Sequence, residues 1–240
     1  MFQTFFVQPL YNGFIYLIGV MPGGDVGLAI IALTLLVRLA FYPIFTAQIR
    51  TTIGMQAIQG ELNEINKKYK DKAEERARRT MQLMKDNKVN PFALFISLLI
   101  QLPIFFALYL AFFHATLPAV DLALLYSFVP APSLINIYFL GFVDLTLSHN
   151  ILLSIVVGAL QYLVVHFSLG RTPVASNLPP ERAAAQKMQQ RMMLYLMPAL
   201  IVGITYSLPA AVGVYFAAGS LISLAQEWVI RKQMFKKAAA

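Results

Sequence analysis

Residues 26–45 read VGLAIIALTLLVRLAFYPIF. This stretch has the ~20 apolar residues that a helix needs to cross a ~30 Å hydrocarbon core. One positive charge, Arg38, stands inside it. Four further stretches share the apolar character: 91–113, 151–167, 192–208 and 211–230. The chain around them fits a membrane setting. Of 240 residues, 58% are hydrophobic and 12% charged, against about a quarter charged in an average soluble protein. Mean hydropathy is +0.65. Cysteine is absent, which excludes a disulfide-built secreted domain, a lipoprotein attachment site and any Cys-ligated metal.

The net charge of +8 would suggest nucleic acid in a soluble protein. Its distribution says otherwise. Arg38 is the first basic residue. Ten more fall between positions 50 and 88, none between 89 and 170, four between 171 and 191, and four from 231 onward. Lys and Arg are retained on the cytoplasmic side of a membrane, so the pattern is an orientation map. It predicts an all-α, polytopic protein with five spans, N-terminus outside and C-terminus inside. Residues 46–90, 168–191 and the basic tail 231–240 are expected inside. Residues 114–150 and a tight turn near Pro209 are expected outside. Residues 1–25, with Phe2, Phe5, Phe6, Tyr11, Phe14 and Tyr16, are read as an outer interfacial helix and linker. They carry no basic n-region and no small-residue cleavage site, so they make a poor signal peptide. Reading them as a sixth span puts the basic segments on the wrong side. The region 117–143, broken by Pro118, Pro130 and Pro132, reads as an interfacial or re-entrant loop.

The inner segment 46–90 has helical periodicity. Met55, Ile58, Leu62, Ile65 and Tyr69 form one stripe, and Ala73, Ala77, Met81 and Met84 a second. Glu64–Lys68, Glu74–Arg78 and Glu75–Arg79 are i,i+4 pairs in the favourable order. Asn90-Pro91 closes the segment, because a residue before proline avoids helix. The expectation is an antiparallel helical hairpin. It is either a solvated connector or a docking element whose Lys67, Lys68, Arg76, Arg78 and Arg79 face partners or lipid head groups. Nothing has base-reading spacing, so specific nucleic-acid recognition is not expected.

Arg38 is the one basic residue inside a span. A charge at mid-bilayer costs about 2.5–3.5 kcal/mol on insertion scales. Snorkelling is one solution, since Arg38 is seven positions from Phe45, about 10 Å at ~1.5 Å per residue. The other is water. The first four spans contain no Asp or Glu, and Glu227 near the inner end of the last is the only acidic candidate. Thr34 lies one turn before Arg38, and Gln101 and Gln161 add polar groups at depth. Tyr195, Tyr206 and Tyr215 add hydroxyls. Together they suggest a water-containing cavity open to the cytoplasm and lined by Arg38, although each Gln or Tyr taken singly is better explained by an interhelical hydrogen bond. Intramembrane carboxylates of a proton relay are missing. His114, His149 and His166 are too scattered for a metal set. No catalytic motif occurs. Neither an enzyme nor a cofactor is expected.

These residues resemble the YidC family of membrane protein insertases, which includes mitochondrial and chloroplast relatives. The resemblance covers nearly the whole chain. FVQPLYN (6–12) resembles the interfacial helix before the first core span, and TLLVRLAFYP (34–43) that span. KVNP (88–91) followed by LIQLPIFFALY (99–109) is the most specific match. Met197-Pro198 and LPAAVGVYF (208–216) resemble the closing hairpin. The similarity is to the short form, without the large outer domain of some members. It implies an insertase that moves nascent hydrophobic segments from the cytoplasm into the bilayer, alone or with the Sec translocon. Arg38 would be the charge of a hydrophilic groove closed on the outside. Thr34, Gln101 and Tyr215 would line or shape that groove, with Gln161 a weaker candidate. The hairpin would act in early capture. Implied partners are nascent membrane proteins, membrane lipids and the Sec translocon, with the ribosome and the signal recognition particle receptor as further candidates. Phe216 departs from the Trp or Tyr of many relatives, and the short basic tail weakens a strong ribosome contact. The implied location is the bacterial plasma (inner) membrane. A small-solute channel or transporter is the alternative, and a purely structural scaffold a third reading.

Overall fold

The computed structural model describes residues 3–90, 117–169 and 190–238, with Phe92, Pro103, Phe106, Ala184, Lys187 and Met188. The expected second span and Gln101 therefore lie outside the described residues, as does most of 168–191. The chain divides into two compact units. One comprises Met1–Phe41, Leu98–Gln161 and Ala199–Ile222, the other Tyr42–Ser97, Tyr162–Pro198 and Ser223–Ala240.

In the first unit a helical turn over Gln3–Val7 leads into α1 (Gln8–Val20). Pro9 sits in the first turn, where its missing N–H costs nothing. Tyr11, Phe14, Ile15 and Ile18 follow the i, i+3, i+4, i+7 rule and are fully buried, while Phe5 and Tyr16 are exposed. The helix stops at Met21, extended as expected before Pro22. Asp25 then caps α2 (Val26–Ala40), accepting from the Leu28 N–H at 3.0 Å. One face of α2 (Val26, Ala29, Ile30, Leu33, Val37) joins the buried face of α1 in a core shared with Leu117, Leu145, Ala211, Val214 and Tyr215. Its other face leaves Leu35, Leu36 and Leu39 exposed.

The stretch 26–45 is not one helix. It breaks at Phe41, and α3 (Tyr42–Ala57) begins anew, because Pro43 is tolerated only in the first turn of a helix. The all-α expectation also needs correction in the loop 117–150. There β1 (Tyr138–Phe139) pairs antiparallel with β2 (Val143–Asp144), around a turn with positive φ at Leu140 and Gly141. The three prolines masked the short alternating run that follows them.

The second unit holds α3, α4 (Gln59–Lys68) and α5 (Ala73–Asp86). Ile58, Leu62 and Val89 are buried together, with Met55, Leu83 and Met84 against them. The first stripe thus faces inward. The second does not: Ala73, Ala77 and Met81 are exposed, and α5 packs through Leu83 and Met84. A stripe made half of alanine carries too little apolar area to choose a helix face. Among the described residues the three i,i+4 pairs of the hairpin are not within ion-pair distance.

The ends of two long helices also meet in this unit. α6 (Ile151–Leu169) finishes against the later part of α8 (Ala210–Ala238). Glu227 and Arg231 form a buried ion pair at 2.7 Å. The Ser168 hydroxyl donates to Glu227 at 2.6 Å. Arg231 donates to the carbonyls of Phe167 and Ser168 at 3.4 Å, and the Gln56 amide also donates to Ser168 O. Two of the orphan carbonyls at the α6 C-terminus, those of Phe167 and Ser168, are thereby satisfied. Between α6 and α8, a wide helical turn over Met192–Leu196 continues into α7 (Met197–Ser207). Among the described residues, Ile151–Ser168 and Ala210–Met234 are each long and apolar enough to cross a membrane. α2 and α3 pass that test only as a bent pair, and Met192–Ser207 is a shorter apolar helix.

Candidate functional site around Arg38

Three helices of the first unit bring polar groups together. α2 contributes Arg38, half-buried, whose Nη2 donates to the Gly219 carbonyl of α8 at 3.3 Å. A Cβ on Gly219 would lie 3.9 Å from that nitrogen, so the guanidinium rests directly on the helix backbone. Tyr215 stands one turn earlier on the same face of α8, buried and within electrostatic reach of Arg38. Its ring meets Phe216 edge-on at 5.7 Å. Next to Gly219, the Ser220 hydroxyl donates to Gln161 Oε1 of α6 at 3.4 Å. At the other end of that contact face, Gly213 lets α6 close on α8. A Cβ there would come within 2.7 Å of Leu153 Cδ2.

The arrangement sorts the residues singled out in the sequence. Arg38, Tyr215 and Gln161 converge around the 215–220 segment of α8. Thr34 is buried, and its hydroxyl donates to the Ile30 carbonyl of its own helix at 2.7 Å. It shapes the face beside Arg38 and has spent its hydrogen on the backbone. Tyr195 is exposed, and Tyr206 stacks edge-on against His149 at 4.9 Å. Neither joins the cluster. Glu227, the one acidic candidate in the last span, is engaged by Arg231 and Ser168. Sequence reading missed Gly219 and Ser220. The run Ala217-Ala218-Gly219-Ser220 was the available signal, since small residues let another side chain or backbone approach closely in a membrane. Chemically, the cluster offers a fixed positive charge, amide and hydroxyl groups on otherwise apolar helices. It can hold an anionic or polar segment, and among the described residues it pairs no nucleophile with a base.

A family model described as "60Kd inner membrane protein" matches residues 18–237. The membrane protein insertase YidC of Oceanobacillus iheyensis is 33% identical over 98% of this chain and 85% of its own length. The chain belongs to the YidC family of membrane protein insertases. The membrane protein insertase MisCA of Bacillus subtilis is 30% identical over 98% of this chain and 81% of its own. The YidC of Histophilus somni is 32% identical over 88% of this chain, but that match spans only 34% of the relative. The shorter family members therefore match this chain almost end to end, and the longer one through a third of its length. These relatives are named as insertases and not as enzymes.

The hairpin residues have a different character. Lys67, Lys68, Arg78 and Arg79 are exposed and Arg76 is half-buried. The Lys68 ammonium lies 5.7 Å from the centre of the Tyr69 ring. They form a solvated basic surface.

Proposed function

We propose that this protein takes nascent hydrophobic segments from the cytoplasm and delivers them laterally into the lipid bilayer, working alone or with the Sec translocon. The observation that carries the reading is Arg38, placed among apolar helices with its guanidinium on the Gly219 carbonyl. In the family arrangement this charge belongs to a hydrophilic groove of a five-span core with the N-terminus outside. A carbonyl is a neutral acceptor, so an acidic group on an incoming chain is the stronger partner for Arg38. Attraction of a polar leading segment to that charge shortens its apolar path, and the following apolar segment moves out along the exposed helix faces. Tyr215 and Gln161 shape the groove beside it; Gln101 belongs to the same proposal by sequence position. The exposed basic residues of α4 and α5 serve early capture of substrate, contact with anionic lipid, and contact with the ribosome or the signal recognition particle receptor. The setting is the bacterial plasma membrane.

The test is photocrosslinking from a probe at Gly219 or Leu39 to a stalled nascent membrane protein. Adducts with the nascent chain, without solute flux in liposomes, are expected. Solute flux without adducts would make the protein a channel or transporter instead.

A further inference from the structure

The loop 117–150 has almost no regular secondary structure, yet buried polar side chains of α1 and α2 hold its backbone at several points. Asn12 is 2% exposed. Its amide donates to the Leu124 carbonyl at 2.8 Å and its oxygen accepts from the Tyr126 N–H at 2.7 Å. Gln8 donates to the same Leu124 carbonyl at 3.1 Å. The Asp121 N–H donates to the Tyr11 hydroxyl at 3.1 Å, and burial raises that phenol above its ordinary value, so it stays a neutral acceptor. Asp25 is 6% exposed. One carboxylate oxygen caps α2 and the other accepts from the Leu140 N–H at 3.0 Å. Reciprocal backbone bonds, Val26 N–H to Asn136 O and Asn136 N–H to Gly24 O, flank it at 3.0 and 2.9 Å. Gly24 has positive φ, and a Cβ there would overlap the Leu134 carbonyl, so the contact admits only glycine.

Hydrogen bonds between a side chain and a specific backbone group fix position, where apolar contact alone allows sliding. We propose that Asn12 and Asp25 are positioning residues that pin the loop 117–150 to α1 and to the start of α2, and so keep it closed over the outer side of the Arg38 cluster. This rests on the insertase reading and its orientation.

The absence of cysteine makes single-cysteine reporters clean. A cysteine at Gly219, beside Arg38, reports the cluster, and the guanidinium makes its thiol reactive. A cysteine at Leu145, a loop residue fully buried in the core, reports loop lifting alone. Membrane-impermeant maleimide is added from either side in cells and inverted vesicles. With Asn12 and Asp25 intact, the Gly219 reporter is expected to label from inside only and the Leu145 reporter from neither side. In Asn12→Ala/Asp25→Ala, outer labelling of both should rise about tenfold or more, the scale of one or two lost buried hydrogen bonds, with inner labelling unchanged. Asp25→Asn keeps an N-cap oxygen but offers the Leu140 N–H a donor in place of an acceptor, so it should be intermediate. An intermediate Asp25→Asn also separates local lifting from collapse of the double variant. Outer labelling that stays absent in both variants would overturn the lock, as would lifting at Leu145 without access to Gly219. A Gly219 reporter silent from both sides would instead overturn the groove reading, leaving the Leu145 reporter to judge the lock.

Discussion

The loop 117–150 and the hairpin 42–90 invert the usual relation between regular structure and fixity. The hairpin is nearly all helix, but beyond Phe45 its buried apolar residues among those described are Ile58, Leu62 and Val89, with three partly buried partners, and α5 contributes no buried residue. The loop is nearly all irregular, but Gln8, Tyr11, Asn12 and Asp25 each hold its backbone through hydrogen bonds, and Leu117 and Leu145 enter the main core. Helical content thus says little about which region moves. A hairpin that opens locally at low cost suits capture of varied chains. A loop pinned at many points suits a wall.

The sharpest way to break this contrast is amide exchange. Bonded loop amides such as Tyr126, Leu140 and Leu145 should exchange at least about a hundredfold more slowly than the amides of α5, since exchange follows local opening energy. Equal protection would erase the distinction. Next in size, Asp25→Ala removes an N-cap and the charged acceptor of the Leu140 N–H. It should destabilise the first unit by about 2–4 kcal/mol in detergent unfolding. Leu62→Ala should cost about 2 kcal/mol, the low end for a buried leucine because the site is shallow. Its effect should be confined to α4 and α5, read as faster proteolysis of the hairpin with the spans unchanged. Smallest of all, Arg78→Ala and Arg79→Ala should shift stability by less than about 0.5 kcal/mol, because both are exposed; any insertion defect they cause then reports a partner contact.

The sequence made the apolar stretches, the basic map and Arg38 visible because each depends on residue type alone. Apolar length and the placement of Lys and Arg survive without coordinates. What stayed hidden depends on phase or on distant backbone. The break at Phe41 required knowing that Pro43 would be taken up by a new first turn. The second hairpin stripe was misread because alanine is indifferent to burial. The partners of Arg38 and Asn12 are carbonyls and N–H groups, which every residue carries, so no pattern of side chains announces Gly219 or Leu124. Glu227 was visible as the one acid of the last span, but not its attachment to Arg231, which is simply its neighbour at i+4. Two charges one turn apart looked like ordinary basic-tail composition until their burial was seen.

In the proposed function the positive charge at Arg38 works on the substrate and is not merely structural. The decisive measurement is insertion of a substrate with an acidic translocated tail into vesicles containing Arg38→Ala, Arg38→Lys or the unchanged protein. About a tenfold or greater loss is expected for Arg38→Ala, the scale of one charge-assisted hydrogen bond, with partial recovery for Arg38→Lys and little change for a substrate with a neutral tail. Equal insertion of the acidic-tailed substrate by Arg38→Ala and the unchanged protein would contradict it.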